Sequence, residues 1–327
     1  MILFLNSISH LFVDGLCAAT LFGPLSEHLQ LSMLIMLYNT LAFSTQCLVG
    51  LLSDRYGRRP YSLVLSLFMV VLGFALPIPP FLKVCFVGLG NSLFHVAGGA
   101  MTLMESKGKA GKLGVFVAPG CIGLTLGTLF PQLGWLFALL LCLVGLIFLP
   151  ICARTPITPV YHHYDKEADH VWLSLFLCAA VAVRAIGGSA ATFPWKTGAA
   201  LTMLMTLFVF AGKTAGGFLC DKIGTKKTAL LSIPLAAVLI AFGSVWMLPS
   251  LLGQFTLNLS MPVTLWLLYK AMPDAPGFSF GLAASALWPG TIAGQLMKLT
   301  GPALWLCVLL SFLFGLWAIM YADKRIR

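Results

Sequence analysis

Residues 50–59 read GLLSDRYGRR, and residues 217–226 read GFLCDKIGTK. In both stretches a glycine, a leucine, an aspartate, a basic residue, a second glycine and a second basic residue keep the same spacing. The two aspartates, Asp54 and Asp221, are separated by half the length of the chain, which has 327 residues. The recurrence of this pattern indicates that the second half of the chain duplicates the first.

Two further pairs of features recur at nearly the same spacing. A Pro-Gly dipeptide at 119–120 recurs at 289–290, and both copies lie in glycine-rich apolar segments. Glu105 and Asp274, which are also separated by half the chain, each follow an apolar segment. Because three features recur in the same order, the sequence predicts two repeated halves, an organisation typical of membrane transporters.

The composition is that of a membrane protein. Hydrophobic residues make up 59% of the chain and charged residues 9%, and the mean hydropathy is +0.97. Soluble proteins contain about 25% charged residues, so this chain could not cover its surface with groups that water solvates. Apolar stretches such as 133–151 do not alternate with polar residues, as barrel strands do, and therefore predict spanning helices.

The hydropathy pattern predicts twelve spanning helices in an all-α membrane protein. We expect two six-helix bundles related by a pseudo-twofold axis, at 1–153 and 171–327, joined by a cytoplasmic linker at 154–170. The predicted spans are 3–24, 32–53, 61–77, 81–104, 113–132, 134–152, 171–193, 198–219, 228–248, 250–272, 277–296 and 302–321.

The basic residues predict the orientation of the chain. With the N-terminus inside, fifteen of the twenty Lys and Arg residues fall on the inner side and only Lys83, Lys196 and Lys298 on the outer side. Cytoplasmic loops are enriched in basic residues, so both termini are predicted to lie in the cytoplasm. The protein itself is predicted to span the inner (cell) membrane. The net charge of +10 then reflects topology, and no nucleic-acid partner is predicted.

No cofactor and no metal site is predicted. His162, His163 and His170 lie in the linker with Asp165, Glu167 and Asp169, but a solvated linker is favoured over a metal site there. The chain shows no nucleophile–base pair and no phosphate-binding loop, so we predict that it is not an enzyme.

The motif at 50–59 resembles the loop between the second and third helices of the major facilitator superfamily, and its weaker copy at 217–226 strengthens the resemblance. The resemblance covers the whole chain and implies a charged latch on the inner side. The alternative is that the basic residues only fix topology. The latch residues are Gly50, Asp54, Arg55, Gly57, Arg58 and Arg59, with Asp221 and Gly224 in the second copy and Glu105 and Asp274 as expected partners.

A second resemblance is to the fosmidomycin-resistance branch of that superfamily. Three features carry it: the stretch SHLFVDG at 9–15, the stretch GNSLFH at 90–95, and Arg184 in the seventh span. The branch commonly follows the histidine with proline and an acid, whereas Val96 and Ala97 follow it here. The resemblance implies drug efflux.

Polar residues within the spans are candidates for transport chemistry, because charge in a bilayer is costly. Asn6, His10 and Asp14 are spaced i, i+4, i+8 and form one stripe on the first helix. Imidazole titrates near neutral pH, so His10 and Asp14 could share and pass a proton. The alternative is a hydrogen bond that only joins helices.

Other spans contribute further candidates. Asn91 and His95 share a face of the fourth helix, where we expect them to line the site. Arg184 follows Asp14 at close to the repeat spacing, so the two could pair in the empty state until an anionic substrate displaces Asp14. Lys213, with its counterpart Gln46 and with Asn39, fits a site role or a structural role equally well. The expected helix-bending residues are Pro119, Gly120, Pro289 and Gly290.

Together these features predict a proton-coupled exporter, or antiporter, of a small drug or metabolite that is anionic or amphipathic. The proton gradient drives it, the lipid bilayer surrounds it, and a monomer is expected. One alternative is an importer of an organic anion. Another is a non-transporting membrane assembly factor that retains the fold, although such a protein would have little reason to keep charges within the membrane.

Overall fold

A computed structural model describes residues 1–155, 157, 159 and 168–326, with the side chains of 168–170 left out. These residues are almost entirely helical and contain no strand. The first half contains α1 (Ile2–Phe22), α2 (Leu31–Asn39), α3 (Gln46–Tyr56), α4 (Arg59–Ala75), α5 (Pro80–Glu105), α6 (Gly111–Val117), α7 (Pro119–Leu129) and α8 (Gly134–Arg154). The second half contains α9 (Ala168–Ala190), α10 (Gly198–Ile223), α11 (Thr225–Gly243), α12 (Met247–Leu259), α13 (Met261–Ala271), α14 (Pro276–Met297) and α15 (Gly301–Arg325).

These helices confirm the prediction of an all-α protein with twelve spanning segments. The described residues contain fifteen α-helices but twelve spanning segments, because three of the segments each consist of two helices with a break between them. A π-helical turn (Thr40–Ser44) joins α2 to α3, α6 bends into α7 at Ala118, and α12 meets α13 at Ser260. Proline follows the last two breaks closely, and its missing N–H and its ring disfavour an unbroken helix.

The lengths and hydropathies of the segments suit a bilayer. Ten segments of the described chain are long and apolar enough to cross a membrane, and α4 is apolar but shorter, at 17 residues. On α8, large side chains such as Leu139, Leu146 and Ile147 are about half exposed. A surface of this kind is unfavourable in water but suits contact with lipid chains.

The first compact unit comprises the described residues of Met1–Glu105, Pro119–His162 and Asp274–Ala284. Within it α1 packs against α7, α8 and α5, and α4 packs against α5 and α8. Fully buried side chains such as Leu16, Leu67, Phe94 and Phe148 form its core. The polar groups of α1 and α5 are therefore held in a tightly packed bundle.

The second unit comprises the described residues of Ser106–Ala118, His163–Pro273 and Ser285–Arg327. Within it α9 packs against α15, α11 against α12 and α15, and α10 against α12 and α6. Leu177, Ile233 and Phe312 are fully buried in its core.

Each unit includes one short segment from the other half of the sequence. Asp274–Ala284 belongs to the first unit, and Ser106–Ala118 belongs to the second. The two segments are related by the internal repeat, since they start close to Asp274 and Glu105. The predicted domain boundaries at 153 and 171 stay predictions, and most of the linker lies outside the described residues.

Candidate functional site

The polar stripe predicted on α1 is buried inside the first unit. Asn6 is fully buried, the His10 side chain is 5% exposed, and the Asp14 side chain is 19% exposed. His10 Nε2 lies 3.2 Å from Asp14 Oδ2, one helical turn away. The i, i+4 spacing of the two residues brings their polar atoms together.

The fourth span, α5, brings two predicted residues to the same place. Asn91 Nδ2 donates a hydrogen bond of 2.9 Å to Asp14 Oδ1, and His95 Nε2 lies 3.8 Å from that oxygen. The rings of His10 and His95 meet edge to face, with centroids 4.5 Å apart. We call His10, Asp14 and His95 the α1–α5 cluster.

A backbone contact fixes the orientation of the His95 ring. Its Nδ1 lies 3.0 Å from the Asn91 carbonyl oxygen, and a ring nitrogen can approach a carbonyl at this distance only as an N–H donor. In the neutral ring, Nε2 then carries the lone pair and faces the Asp14 carboxylate. A proton or another cation between these two acceptors would remove the repulsion between them.

A glycine on α7 lets its backbone approach the cluster. A Cβ atom at Gly120 would overlap both Asp14 Oδ2 and His10 Nε2, and one at Gly123 would overlap the Leu11 carbonyl. The interruption at Ala118 directly precedes Pro119, so the new helix begins beside the cluster. In the second unit α14 runs through Pro289 without a break, and Gly290 packs against the backbone of Ala182.

Several buried amide atoms near the cluster lack a hydrogen-bond partner in the described structure. Both amide atoms of Asn6 and the Oδ1 atom of Asn91 are in this state. An unsatisfied buried polar group costs about 1–3 kcal/mol, so such groups need an explanation. Bound water or a ligand in the bundle would satisfy them.

Arg184 forms a second polar centre, within the second unit. Its Nη1 donates hydrogen bonds to Ser260 Oγ at 3.2 Å and to Thr264 Oγ1 at 2.9 Å. No carboxylate in the described part of this unit forms an ion pair with Arg184. Neutral hydroxyls leave the charge uncompensated, which is the state expected of an anion-binding group. The predicted pairing of Arg184 with Asp14 joins the two units and stays a prediction.

The remaining predicted polar residues have mainly local contacts. Gln46 is fully buried and donates to the Ala42 carbonyl, and its Oε1 lacks a partner in the described structure. Asn39 donates to the Ile35 carbonyl. Lys213 is half-buried on α10, next to the point where α6 packs against the Lys213 backbone.

Asp54 of the first repeated motif binds the start of α14. Its carboxylate accepts hydrogen bonds from Gly277 N at 3.0 Å and Phe278 N at 2.8 Å. Arg59 Nη2 donates to the same group at 2.9 Å. The first N–H groups of a helix have no partner within the helix, and the helix dipole favours negative charge there.

The glycines of this motif explain its spacing. A Cβ atom at Gly50 would overlap the Gly277 carbonyl, so only glycine lets the two backbones meet there. Gly57 ends α3 in the left-handed conformation, with φ of 63°. The turn brings Arg59 back to Asp54, whereas Arg55 and Arg58 are exposed.

The second motif repeats this arrangement with α6. Asp221 accepts hydrogen bonds from Ala110 N at 2.6 Å and Gly111 N at 2.9 Å, in the segment that leads into α6. A Cβ atom at Gly217 would come within 2.6 Å of the Ala110 carbonyl, and Gly224 has φ of 84°. The two copies of the motif therefore form the same contact, in which an aspartate binds two backbone N–H groups at the start of a helix.

Glu105 and Asp274 are the two acidic residues that we expect to pair with the basic residues of the latch. Asp274 is exposed, and Glu105 is half-buried at the end of α5. The expected pairing of these two acids with the basic residues stays a prediction, and the structure shows Asp54 and Asp221 bound to backbone N–H groups.

Sequence reasoning missed the groups that receive these contacts. Ser260 and Thr264, which bind Arg184, were signalled only by their i, i+4 spacing within an apolar segment. The N–H groups of Ala110, Gly111, Gly277 and Phe278 could not have been found, because backbone donors leave no trace in residue type.

Solved transporter structures share this fold. The chain aligns with a variant of the E. coli fucose:proton symporter at a TM-score of 0.72 and 14% identity, over 98% of both chains. A second structure of that symporter, a major facilitator superfamily transporter in the outward conformation, gives 0.71 and 13%, also over 98% of both. A bacterial homologue of the iron transporter ferroportin in an outward-facing state gives 0.70 and 14%, over 99% of this chain and 100% of that one.

These likenesses confirm the predicted major facilitator fold. The sequence matches no protein-family model. It also matches no curated protein. The resemblance to the fosmidomycin-resistance branch stays a prediction.

Proposed function

We propose that the chain is a secondary active transporter that exports a small anionic or amphipathic drug or metabolite in exchange for protons. The observation that carries the proposal is the α1–α5 cluster, buried in a spanning bundle of the major facilitator fold. A buried carboxylate in contact with two histidines is costly in a membrane and has a clear use in proton transfer.

In this proposal Asp14 and His10 carry the proton. Their polar atoms are 3.2 Å apart, a distance at which a proton can pass between them. Histidine is the side chain that ordinarily gains and loses a proton between pH 5 and 8. The Asp14 side chain is 19% exposed, so the pair is not sealed within the first unit and could exchange a proton with water in an open cavity.

Arg184 is the proposed anchor for the substrate. Its guanidinium is held by two hydroxyls, which orient it without neutralising it. A carboxylate or phosphate group of the substrate would supply the missing negative charge and accept two parallel hydrogen bonds.

The two repeated aspartates are the proposed latch of alternating access. Each binds the first N–H groups of a helical segment from the other half of the sequence, Gly277 and Phe278 in one case and Ala110 and Gly111 in the other. If the two halves of the sequence separate on the inner side during transport, these four charge-assisted hydrogen bonds must break. We place this latch at the cytoplasmic face of the inner membrane, where the basic residues concentrate.

Two alternatives remain distinct from this proposal. An importer of an organic anion would use the same residues with the opposite coupling. A non-transporting assembly factor would keep the fold without using the cluster, and the cost of burying ionisable groups in a membrane counts against it.

Proteoliposomes with an imposed pH gradient test the proposal. A panel of organic anions and amphipathic drugs is supplied outside, and uptake is measured with either the lumen or the bath acidic. Antiport predicts accumulation when the lumen is acidic, because protons leave as solute enters, and a protonophore abolishes it. Symport predicts accumulation only when the bath is acidic. Absence of gradient-dependent movement for every solute would contradict the proposed function.

A further inference from the structure

We propose that His10, Asp14 and His95 form a binding site for a divalent transition-metal ion. The inference concerns the site on which the proposed function rests, but it depends only on how the three side chains are arranged. It also departs from the sequence-based prediction, which included no metal site.

The donor atoms are close enough for one ion. One atom from each of the three residues can be chosen so that all lie within 4.8 Å of one another. Zinc-like ions bind nitrogen and oxygen at about 2.0–2.2 Å, which separates tetrahedral ligands by about 3.4 Å. His10 Nε2 lies 3.2 Å from Asp14 Oδ2 and His95 Nε2 lies 3.8 Å from Asp14 Oδ1, so each histidine is close to that separation from one oxygen of the carboxylate.

The chemistry of the donors selects the class of ion. Two imidazoles with one carboxylate are a donor set of transition metals, whereas magnesium and calcium prefer oxygen ligands alone. When both histidines are neutral, the Asp14 carboxylate gives the three side chains a net charge of about −1. This negative charge also favours a cation. We therefore name ions of the zinc, cobalt, iron and nickel type as the ligand class.

The surroundings orient the donors as metal sites require. The Asn91 carbonyl accepts from His95 Nδ1, which turns the Nε2 lone pair toward Asp14. The Asn91 amide also donates to Asp14 Oδ1. Outer contacts of this kind fix the tautomer of a ligand histidine and the direction of a ligand carboxylate.

Buried amide oxygens are candidates for the coordination positions of the ion that the three side chains do not fill. Asn91 Oδ1 lacks a hydrogen-bond partner in the described structure, and so does Asn6 Oδ1, one helical turn from His10. An amide oxygen can bind the ion directly or accept a hydrogen bond from a metal-bound water. The 19% exposure of Asp14 and the 12% exposure of His95 leave a path for the ion.

Equilibrium binding of Co²⁺ to the purified full-length protein tests the inference. We expect one equivalent of Co²⁺ to bind with visible d–d absorption typical of nitrogen and oxygen ligands. Asp14→Asn and His95→Gln each replace a carboxylate or imidazole ligand with a weaker neutral amide and change the volume little, and each should weaken binding at least about 100-fold. Asn91→Ala keeps all three ligands and should weaken it about 10- to 100-fold, which gives a readout if a ligand variant fails to fold.

Matched controls separate this site from others on the chain. The exposed His28→Gln and the linker triple variant His162→Gln, His163→Gln, His170→Gln should bind Co²⁺ as the unmodified protein does. Binding that survives the ligand variants, is lost with the linker histidines, or shows thiolate charge-transfer bands would overturn the proposal. Because no gradient is involved, absence of Co²⁺ binding leaves proton-coupled transport standing, and absence of transport leaves the metal site standing.

Discussion

Asp14 lies at the centre of the polar contacts between α1 and α5. His10 lies 3.2 Å from its carboxylate, Asn91 donates to it at 2.9 Å, and His95 lies at 3.8 Å. A carboxylate in the middle of a membrane costs about 2.5–3.5 kcal/mol on insertion scales. These contacts offset that cost while leaving part of the group accessible, which suits a residue that changes partners during a cycle.

Arg184 yields a prediction at the residue scale. Arg184→Lys keeps the charge but loses the planar guanidinium, whose Nη1 donates to both Ser260 and Thr264 and whose fork of N–H groups can bind an anion through two hydrogen bonds. We expect the affinity for an anionic solute to fall at least about tenfold, because one charge-assisted hydrogen bond contributes about 1.5–3 kcal/mol. Half-saturating concentrations for transport measure the effect. Arg325→Lys, at an exposed position, is the matched control and should change nothing. Full affinity in Arg184→Lys would exclude bidentate recognition.

At the scale of helices, glycine determines which pairs can meet. The backbones of α1 and α7 touch at Gly123 and Gly127, and α7 approaches the α1–α5 cluster through Gly120. The backbones of α9 and α14 meet in the same way at Gly290 and Gly294. Small residues of this kind let membrane helices pack closely, where other side chains would hold them apart.

Gly120→Ala tests the packing of α7 on the cluster. The new methyl group would overlap His10 and Asp14, so we expect about 1–3 kcal/mol of destabilisation. The cluster should lose its geometry as well, with weaker proton-coupled flux. Gly145→Ala is the control, because the nearest atom to its added carbon is 3.9 Å away. Thermal unfolding in detergent measures both variants. Equal melting temperatures would argue against the described contact.

Asp54→Asn tests the contact between α3 and α14. The change removes a charge that Gly277, Phe278 and Arg59 all bind, and it leaves the buried Arg59 without the charge of its partner. Breaking a buried ion pair from one side costs about 3–5 kcal/mol, so we expect a clear loss of stability. The exposed Asp274→Asn should be near neutral. If Asp54→Asn matched Asp274→Asn in urea-induced unfolding, the carboxylate would have no role in holding α14.

The helices could be predicted from the sequence, but the groups that bind the two repeated aspartates could not. Hydropathy located all twelve segments, and the repeated motif pointed to Asp54 and Asp221. The expected pairing of Glu105 and Asp274 with the basic groups rests on charge alone and stays a prediction. The structure shows backbone N–H groups of α14 and of the segment before α6 bound to the two aspartates, and no residue type encodes such donors.

At the scale of the molecule, the internal repeat is preserved in contacts as well as in sequence. Asp54 binds the start of α14 and Asp221 binds the start of α6, each through two N–H groups. The polar centres are not preserved, because the first unit holds the α1–α5 cluster and the second holds Arg184. Sequence identified both sets of residues, since ionisable groups within apolar segments are easily seen. It could not show that His10 and His95, which lie on different helices far apart in the chain, approach one carboxylate.

The two polar centres fit different roles in the proposed cycle. The α1–α5 cluster of the first unit would bind the proton, and Arg184 of the second unit would bind the anionic solute. Proton-driven transport by the Asp14→Asn variant, compared with the unmodified protein in the same proteoliposomes, tests these two roles most directly. We predict that Asp14→Asn still exchanges labelled for unlabelled solute, because Arg184 is intact, but no longer concentrates solute when the lumen is acidic. Accumulation by Asp14→Asn equal to that of the unmodified protein would contradict the assignment of the proton to this site.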